Sequence, residues 1–257
     1  MKKEETVQYH IQLKRGDVGL YVLLPGDPGR CERIAAFFDN PQFIAQNREF
    51  TTYTGTLLDE KVSVVSTGIG CPSTAIAVEE LIKIGADTFI RVGTSGGVQS
   101  DTKTGDVAIV TAAIRDEGTT SQYLPIEFPA VADIDVVLAL REAAKKLGLP
   151  YHLGITQSKD SFFGEVEADR MPVADQLHKR WKAWVEGGAI CSEMESAAIF
   201  ILASIHRKRA GGVMMMVGAG DGLPKTEADK ELFHGDRAIR TAIEGVKILI
   251  EMDRKSA

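Results

Sequence analysis

Thr88-Phe89-Ile90-Arg91-Val92-Gly93-Thr94-Ser95-Gly96-Gly97 reads as a short apolar strand with an arginine inside it, running into a loop of small residues. A guanidinium does not escape burial by losing its proton, and leaving it unpaired in a core costs several kcal/mol. Something therefore meets Arg91. The small residues behind it offer backbone N–H groups and the hydroxyls of Thr94 and Ser95, parts that suit an oxyanion such as phosphate. An arginine paired to a core carboxylate beside a tight turn is the structural alternative.

Upstream, Val62, Val64 and Val65 make Lys61 to Ser66 a strand ending in Ser66-Thr67-Gly68-Ile69-Gly70-Cys71-Pro72-Ser73. Pro72 suits a first helical turn, Ile76 to Ile84 carry an apolar stripe, and Gly85 suits a left-handed cap. Strand, helix and strand make a parallel βαβ unit, so the fold class is α/β. Arg48 to Tyr53 is β-rich and pairs naturally with the strand at Lys61. Val18 to Leu24 is a further strand, stopping at Pro25-Gly26-Asp27-Pro28-Gly29-Arg30, and Cys31 to Phe38 then looks helical. Three strands thus end in Gly-rich turns at 25–30, 67–73 and 93–97, and ligands of open parallel sheets bind beyond such ends.

Downstream, Gly105 to Thr111 is a strand and Arg115 to Pro129 a polar segment long enough for a functional loop. Asp133 or Asp135 caps an amphipathic helix closed by Gly148, and Tyr151 to Ser158 returns as a strand. Lys159-Asp160-Ser161-Phe162-Phe163-Gly164-Glu165-Val166-Glu167 follows, and one of its phenylalanines suits stacking on a flat ring. Glu193 and Glu195 precede the apolar helix Ala197 to Ile205. In an extended lead-in they point the same way, and paired carboxylates suit the adjacent hydroxyls of a polyol; the alternative is a role at the helix N-terminus. Gly212 to Val217 is the last buried strand, with Asp221 in the turn after it, and Leu232 to Met252 closes the chain as a helix.

With 257 residues and neither repeat nor linker, the chain is expected to form one domain over 1–257. A net charge of −6 argues against nucleic acid or an anionic membrane and makes any arginine cluster a site for a small ligand. Cys31, Cys71 and Cys191 show no zinc or disulfide spacing and read as core residues. The start lacks an apolar leader, and the expected location is cytoplasmic.

Four ordered motifs resemble the nucleoside phosphorylases related to uridine phosphorylase: Pro25-Gly26-Asp27-Pro28, the stretch from Ser66 to Ser73, Arg91-Val92-Gly93-Thr94 and Glu193-Met194-Glu195-Ser196. The likeness runs from about His10 to Leu249. Arg48-Glu49-Phe50-Thr51-Thr52 and Glu127 to Asp133 look like the pyrimidine branch. The resemblance implies a three-layer α/β/α domain around a mixed, partly barrel-like sheet, and reversible phosphorolysis of a nucleoside with phosphate as co-substrate and no organic cofactor. Phosphate would be held by Gly26, Arg30, Arg91 and Thr94, with Arg48 from a neighbouring subunit. Ribose would lie at Glu193, Met194 and Glu195, with His10 coming from the neighbour, and the base against Phe162. Glu49, Ile69 and Ser73 match a potassium site between subunits, and the assembly would be a hexamer, a trimer of dimers. Arg91, Glu195 and Lys159 are the candidate catalytic residues.

The sequence departs from that family at the base. Uridine phosphorylases place Gln-x-Arg after the aromatic segment; here Gly164 is followed by Glu165-Val166-Glu167. Lys159 is the nearest replacement cation, Arg170 the next, and Glu165, Glu167 and Asp221 are candidates for the base edge. Uridine or deoxyuridine comes first. The alternatives are a purine nucleoside such as inosine or guanosine, a hydrolytic nucleosidase, and a nucleoside-binding protein without catalysis.

Overall fold

The computed structural model describes residues 6–219 and 236–256. A three-residue strand pairing decides the architecture. Strand β5 (Thr88–Gly97) is flanked on one edge along its length by β10 (Arg209–Ala219), parallel to it. On its other edge, β1 (Tyr21–Leu24) pairs with its first half, from Thr88 to Arg91. β9 (Cys191–Glu193) pairs antiparallel with its end, at Gly96 and Gly97. Among the described residues, Val92 to Ser95 have no strand partner on that edge, so the sheet splits there. The predicted loop at 93–97 is therefore strand, and its exposed backbone edge comes from the divergence of β1 and β9.

The sheet is mixed. β10 pairs antiparallel with β6 (Val107–Asp116), β6 parallel with β8 (Tyr151–Lys159), and β8 parallel with β9, which returns to β5. Those five strands close into a barrel-like ring. From β1 the sheet continues through β4 (Glu60–Val65), β3 (Phe50–Leu57) and β2 (Asp39–Asn47), while the two-residue β7 (Ala130–Val131) pairs with β6. The expected βαβ unit is present as β4, α2 (Cys71–Ile84) and β5, with β1 inserted between the two strands. The edge strand β2 escaped the sequence reading. It is polar, carries Pro41 and is bulged, as befits an edge that must not recruit another strand.

Side-chain alternation sends each central strand's residues into two cores. Val22, Leu24, Met214 and Met216 pack with α2 and α6 (Ser196–His206) on one face. Tyr21, Leu23, Val213, Met215 and Val217 pack with α1 (Gly29–Ala35), α3 (Ile134–Lys146) and α7 (Asp236–Ser256) on the other. Strands buried on both faces read as continuous apolar runs, which is why Val213 to Val217 shows no polar residue. The result is the expected three-layer α/β/α architecture around a partly barrel-like mixed sheet. No helix among the described residues is long and apolar enough to cross a membrane.

Asp133 caps α3, its Oδ1 accepting the N–H groups of Asp135 at 3.0 Å and Val136 at 3.2 Å. Asp133→Ala is expected to cost about 1 kcal/mol, seen as a lower urea midpoint at unchanged m. The thiols of Cys31, Cys71 and Cys191 are buried, and burial raises each above the ordinary thiol value, Cys31 to about 12, as core residues without reactive chemistry.

Candidate active site

At the split in the sheet lies a cavity of about 620 Å³. It brings together Gly26, Arg30, Arg91 and Thr94, four of the five expected phosphate residues, with Glu195. Each arrives by a different route: Gly26 from the turn after β1, Arg30 from the first turn of α1, Arg91 and Thr94 from β5, and Glu195 from the start of α6. Gly93 has its own reason to be glycine, because a Cβ there would sit 3.0 Å from Arg91 Cζ. The guanidinium folds back over that bare position.

Arg91 is 5% exposed and meets two carboxylates. Its Nη2 donates to Glu195 Oε2, and its Nε lies 3.6 Å from Glu193 Oε2 without a hydrogen-bond partner. Glu195 Oε1 also accepts the Gly70 N–H at 2.7 Å, ahead of α2. Glu193 is more deeply committed. Its Oε2 accepts the N–H groups of Glu195 at 2.8 Å and Ser196 at 2.9 Å, and Oε1 accepts from the Ser158 hydroxyl. The two carboxylates converge on Arg91, and Glu193 also meets the first N–H groups of the buried helix α6. Burial first, and the neighbouring Glu195 second, push the Glu193 carboxyl above the usual carboxylate range. Ser158 carried no sequence signal for this role, since only the β8–β9 register brings it opposite Glu193.

Arg30 is also buried. Burial is the larger reason its guanidinium falls below the usual value, and repulsion from Arg91 comes next, partly offset by Asp27. Arg30 and Arg91 share one cavity.

Glu49, Ile69 and Ser73 line the rim of the same cavity. The Ser73 hydroxyl lies 2.5 Å from Glu49 Oε1 and 2.6 Å from Thr67 O, and its hydrogen bond holds the Glu49 carboxyl below the usual range. Arg48, beside Glu49, is exposed at the β2–β3 turn with φ of 55° and is not among the residues that line this cavity. His10 does not line the cavity either. Its ring Nδ1 is 2.7 Å from Glu80 Oε1, and Glu80 also accepts the backbone N–H groups of His10 and Ile11.

The expected base residues lie beyond β9. Lys159, expected as a replacement cation, is buried and already paired: its Nζ is 2.9 Å from Glu165 Oε2 and donates to Ser192 Oγ at 2.5 Å. Glu167 pairs with the exposed Arg170 one turn on, 2.8 Å away. Phe162, in the short helix α4 (Phe162–Val166), is half-exposed and meets Phe163 edge to face. Met194 is half-buried between the two glutamates. Asp221 lies outside the described residues. The segment from 115 to 129 does not line the cavity. Arg115 organises it instead, donating to the carbonyls of Pro125, Phe128 and Leu124 at 2.5, 2.6 and 2.7 Å.

A family profile described as the phosphorylase superfamily matches residues 20–251. A uridine phosphorylase of Treponema pallidum is 50% identical over 246 residues, covering 96% of this chain and 95% of that protein. A uridine phosphorylase of Thermococcus kodakarensis is 44% identical over 261 residues, covering 98% and 90%. A guanosine phosphorylase of Halorubrum lacusprofundi is 36% identical over 253 residues, covering 94% and 99%. With the sheet that splits at Arg91 and the cavity that the split opens, these matches make the chain a member of the phosphorylase superfamily.

Proposed function

We propose that this single-domain chain is a pentosyltransferase that catalyses the reversible phosphorolysis of uridine or deoxyuridine, in nucleoside salvage. A phosphate oxygen attacks C1′ of the sugar as the C1′–N bond breaks, and the bonding pair leaves on the base. The products are the pentose 1-phosphate and the base anion, which takes a proton from water. The enzyme supplies no nucleophile; it aligns phosphate with C1′ and stabilises separating charge.

The observation that carries this reading is the pair Arg30 and Arg91 in one cavity, where repulsion from Arg91 adds to burial in lowering the Arg30 guanidinium. A dianion relieves that repulsion, whereas a hydrolase that uses water has no need of it. Gly26 and Thr94 complete the phosphate site on this reading. Glu193, Met194 and Glu195, the last now on Arg91, hold the ribose, and Phe162 lies against the base.

Arg48 and His10 do not line their own cavity, and in this reading they serve the neighbouring subunit of a dimer, three of which form a hexamer. Ile69, 76% exposed on a cavity rim, would be covered in such an assembly and share a potassium ion with Glu49 and Ser73. Phosphate is the co-substrate, and the cytoplasm, where it meets free nucleosides, is the location this role requires.

Base release from uridine is expected to depend on phosphate and to yield pentose 1-phosphate in equal amount. Release at an undiminished rate in phosphate-free buffer would instead make the protein a nucleosidase.

A further inference from the structure

Beside the phosphate cavity the sheet carries a row of positions that runs across three strands. Gly96 of β5 pairs with Ser192 of β9, which pairs with Gln157 of β8. Two residues along each strand, on the same face, stand Thr94, Met194 and Lys159. The β8–β9 ladder, extended by one residue past Ser158 and Glu193, sets Lys159 beside Met194. On the other side of β9, Thr94 stands two residues beyond Gly96, where β5 and β9 part. Thr94 lines the phosphate cavity, and Lys159 lines a second, smaller cavity of about 170 Å³.

At the far end of this row the side chains form a fixed donor–acceptor pair. Lys159 and Glu165 are almost wholly buried, 8% and 10% exposed. Ser192 Oγ lies 2.5 Å from Lys159 Nζ, 2.6 Å from Glu165 Oε2 and 3.0 Å from Gln157 Oε1. Gln157 is held in turn, its Nε2 donating to Asp116 Oδ2 at 2.6 Å. An ammonium has three protons, and Ser192 and Glu165 account for two. Both contacts to Glu165 fall on Oε2, and among the described residues Oε1 has none. One donor and one acceptor thus remain side by side. A buried ion pair of this kind adds little to stability.

We propose that Lys159 and Glu165, seated by Ser192, read the base, and that what they read is a lactam edge, a carbonyl next to a ring N–H. This rests on the phosphorolysis proposed above. Lys159 donates to the carbonyl and Glu165 accepts from the N–H. Uracil presents that edge at O4 and N3–H, and a 6-oxopurine presents it at O6 and N1–H. Cytosine and adenine invert it, setting an amino group against the ammonium and a bare ring nitrogen against the carboxylate. The pair also answers the difficulty of carboxylates facing a departing anion: Lys159 meets the carbonyl on which negative charge develops, and Glu165 is neutralised before the base arrives.

The test is steady-state phosphorolysis by the intact enzyme at saturating phosphate, with uridine, cytidine and 5-fluorouridine. The unaltered enzyme is expected to favour uridine over cytidine by about 10²-fold or more in kcat/KM. Lys159→Met should lower kcat for uridine by about 10²-fold, with the KM for phosphate unchanged. Because 5-fluorouracil is the more acidic leaving group, the same substitution should cost about tenfold less with 5-fluorouridine. Glu165→Gln should raise the KM for uridine and narrow the uridine-to-cytidine ratio, and it carries the test if Lys159→Met does not fold. An enzyme that phosphorolyses uridine, but whose variants keep the base ratio and lose equally with both uridines, would overturn this assignment and leave phosphorolysis standing. Failure of the unaltered enzyme to phosphorolyse any of the three, or inosine in their place, would overturn both.

Discussion

Arg91→Ala is expected to lower kcat at least about 10²-fold, the scale for removing one preorganised donor from developing charge. Its effect on stability is equally specific. The substitution leaves Glu193 and Glu195, 4% and 3% exposed, without the guanidinium that faces both. Breaking a buried pair by removing one partner costs about 3–5 kcal/mol. The cost depends on pH in a direction that follows from Glu193. Burial and Glu195 already raise its folded pKa, and Arg91 opposes the rise. Without Arg91 the rise is larger. A carboxyl raised on folding stabilises the fold below its unfolded pKa, and that contribution is lost as pH rises through the folded value. The deficit of the variant is therefore greatest at neutral pH and shrinks as pH falls through the raised value toward the ordinary glutamate range. Urea unfolding of both proteins at neutral and mildly acidic pH measures this. A deficit that grows on acidification would show that the carboxylates had found other partners.

The parts of this site that could be read in the sequence are those set by local pattern. Val213 to Val217 announces a strand buried on both faces, and Pro72 and Gly85 bracket α2 because each acts on its own backbone torsions. Arg91 inside an apolar strand announces that an anion meets it, but leaves open whether that anion is a ligand or a carboxylate. The structure shows the carboxylate: Glu195 holds the guanidinium, in a cavity that Arg30 also lines. Pairings made by register were out of reach. Nothing near Lys159 in sequence says that Ser192 will lie across the β8–β9 ladder, or that Glu165 will pair with Lys159 while Glu167 pairs with Arg170. The glycines at 93 and 96 suggested a loop because a glycine pair weakens a strand. In the fold, Gly93 makes room for the Arg91 side chain, and Gly96 pairs within a continuing strand. β2 was missed for the opposite reason: it is an edge that keeps itself polar, so it lacks the apolar alternation by which strands are recognised.

Subunits with different single defects are expected to repair each other. Arg30 lines the cavity of its own subunit, whereas Arg48 is exposed and absent from the lining to which its neighbour in sequence, Glu49, contributes. If Arg48 completes the partner's phosphate site across a two-fold axis, a hybrid dimer of Arg30→Ala and Arg48→Ala subunits contains one site with both residues missing and one with both intact. Random reassortment of equal amounts then restores about a quarter of the unaltered activity from two preparations each reduced about 10²-fold. The control is Arg30→Ala mixed with Glu195→Gln. Both residues belong to the same cavity, so every hybrid site lacks one of them and activity stays low. Mixing is done by co-refolding, so that exchange of subunits does not limit the result, and initial rates with uridine and phosphate are compared with those of the unmixed variants. Recovery in the first mixture alone identifies a shared site. Equal failure of both mixtures, with each variant folded, would make Arg48 a surface residue and the phosphate site the work of one subunit.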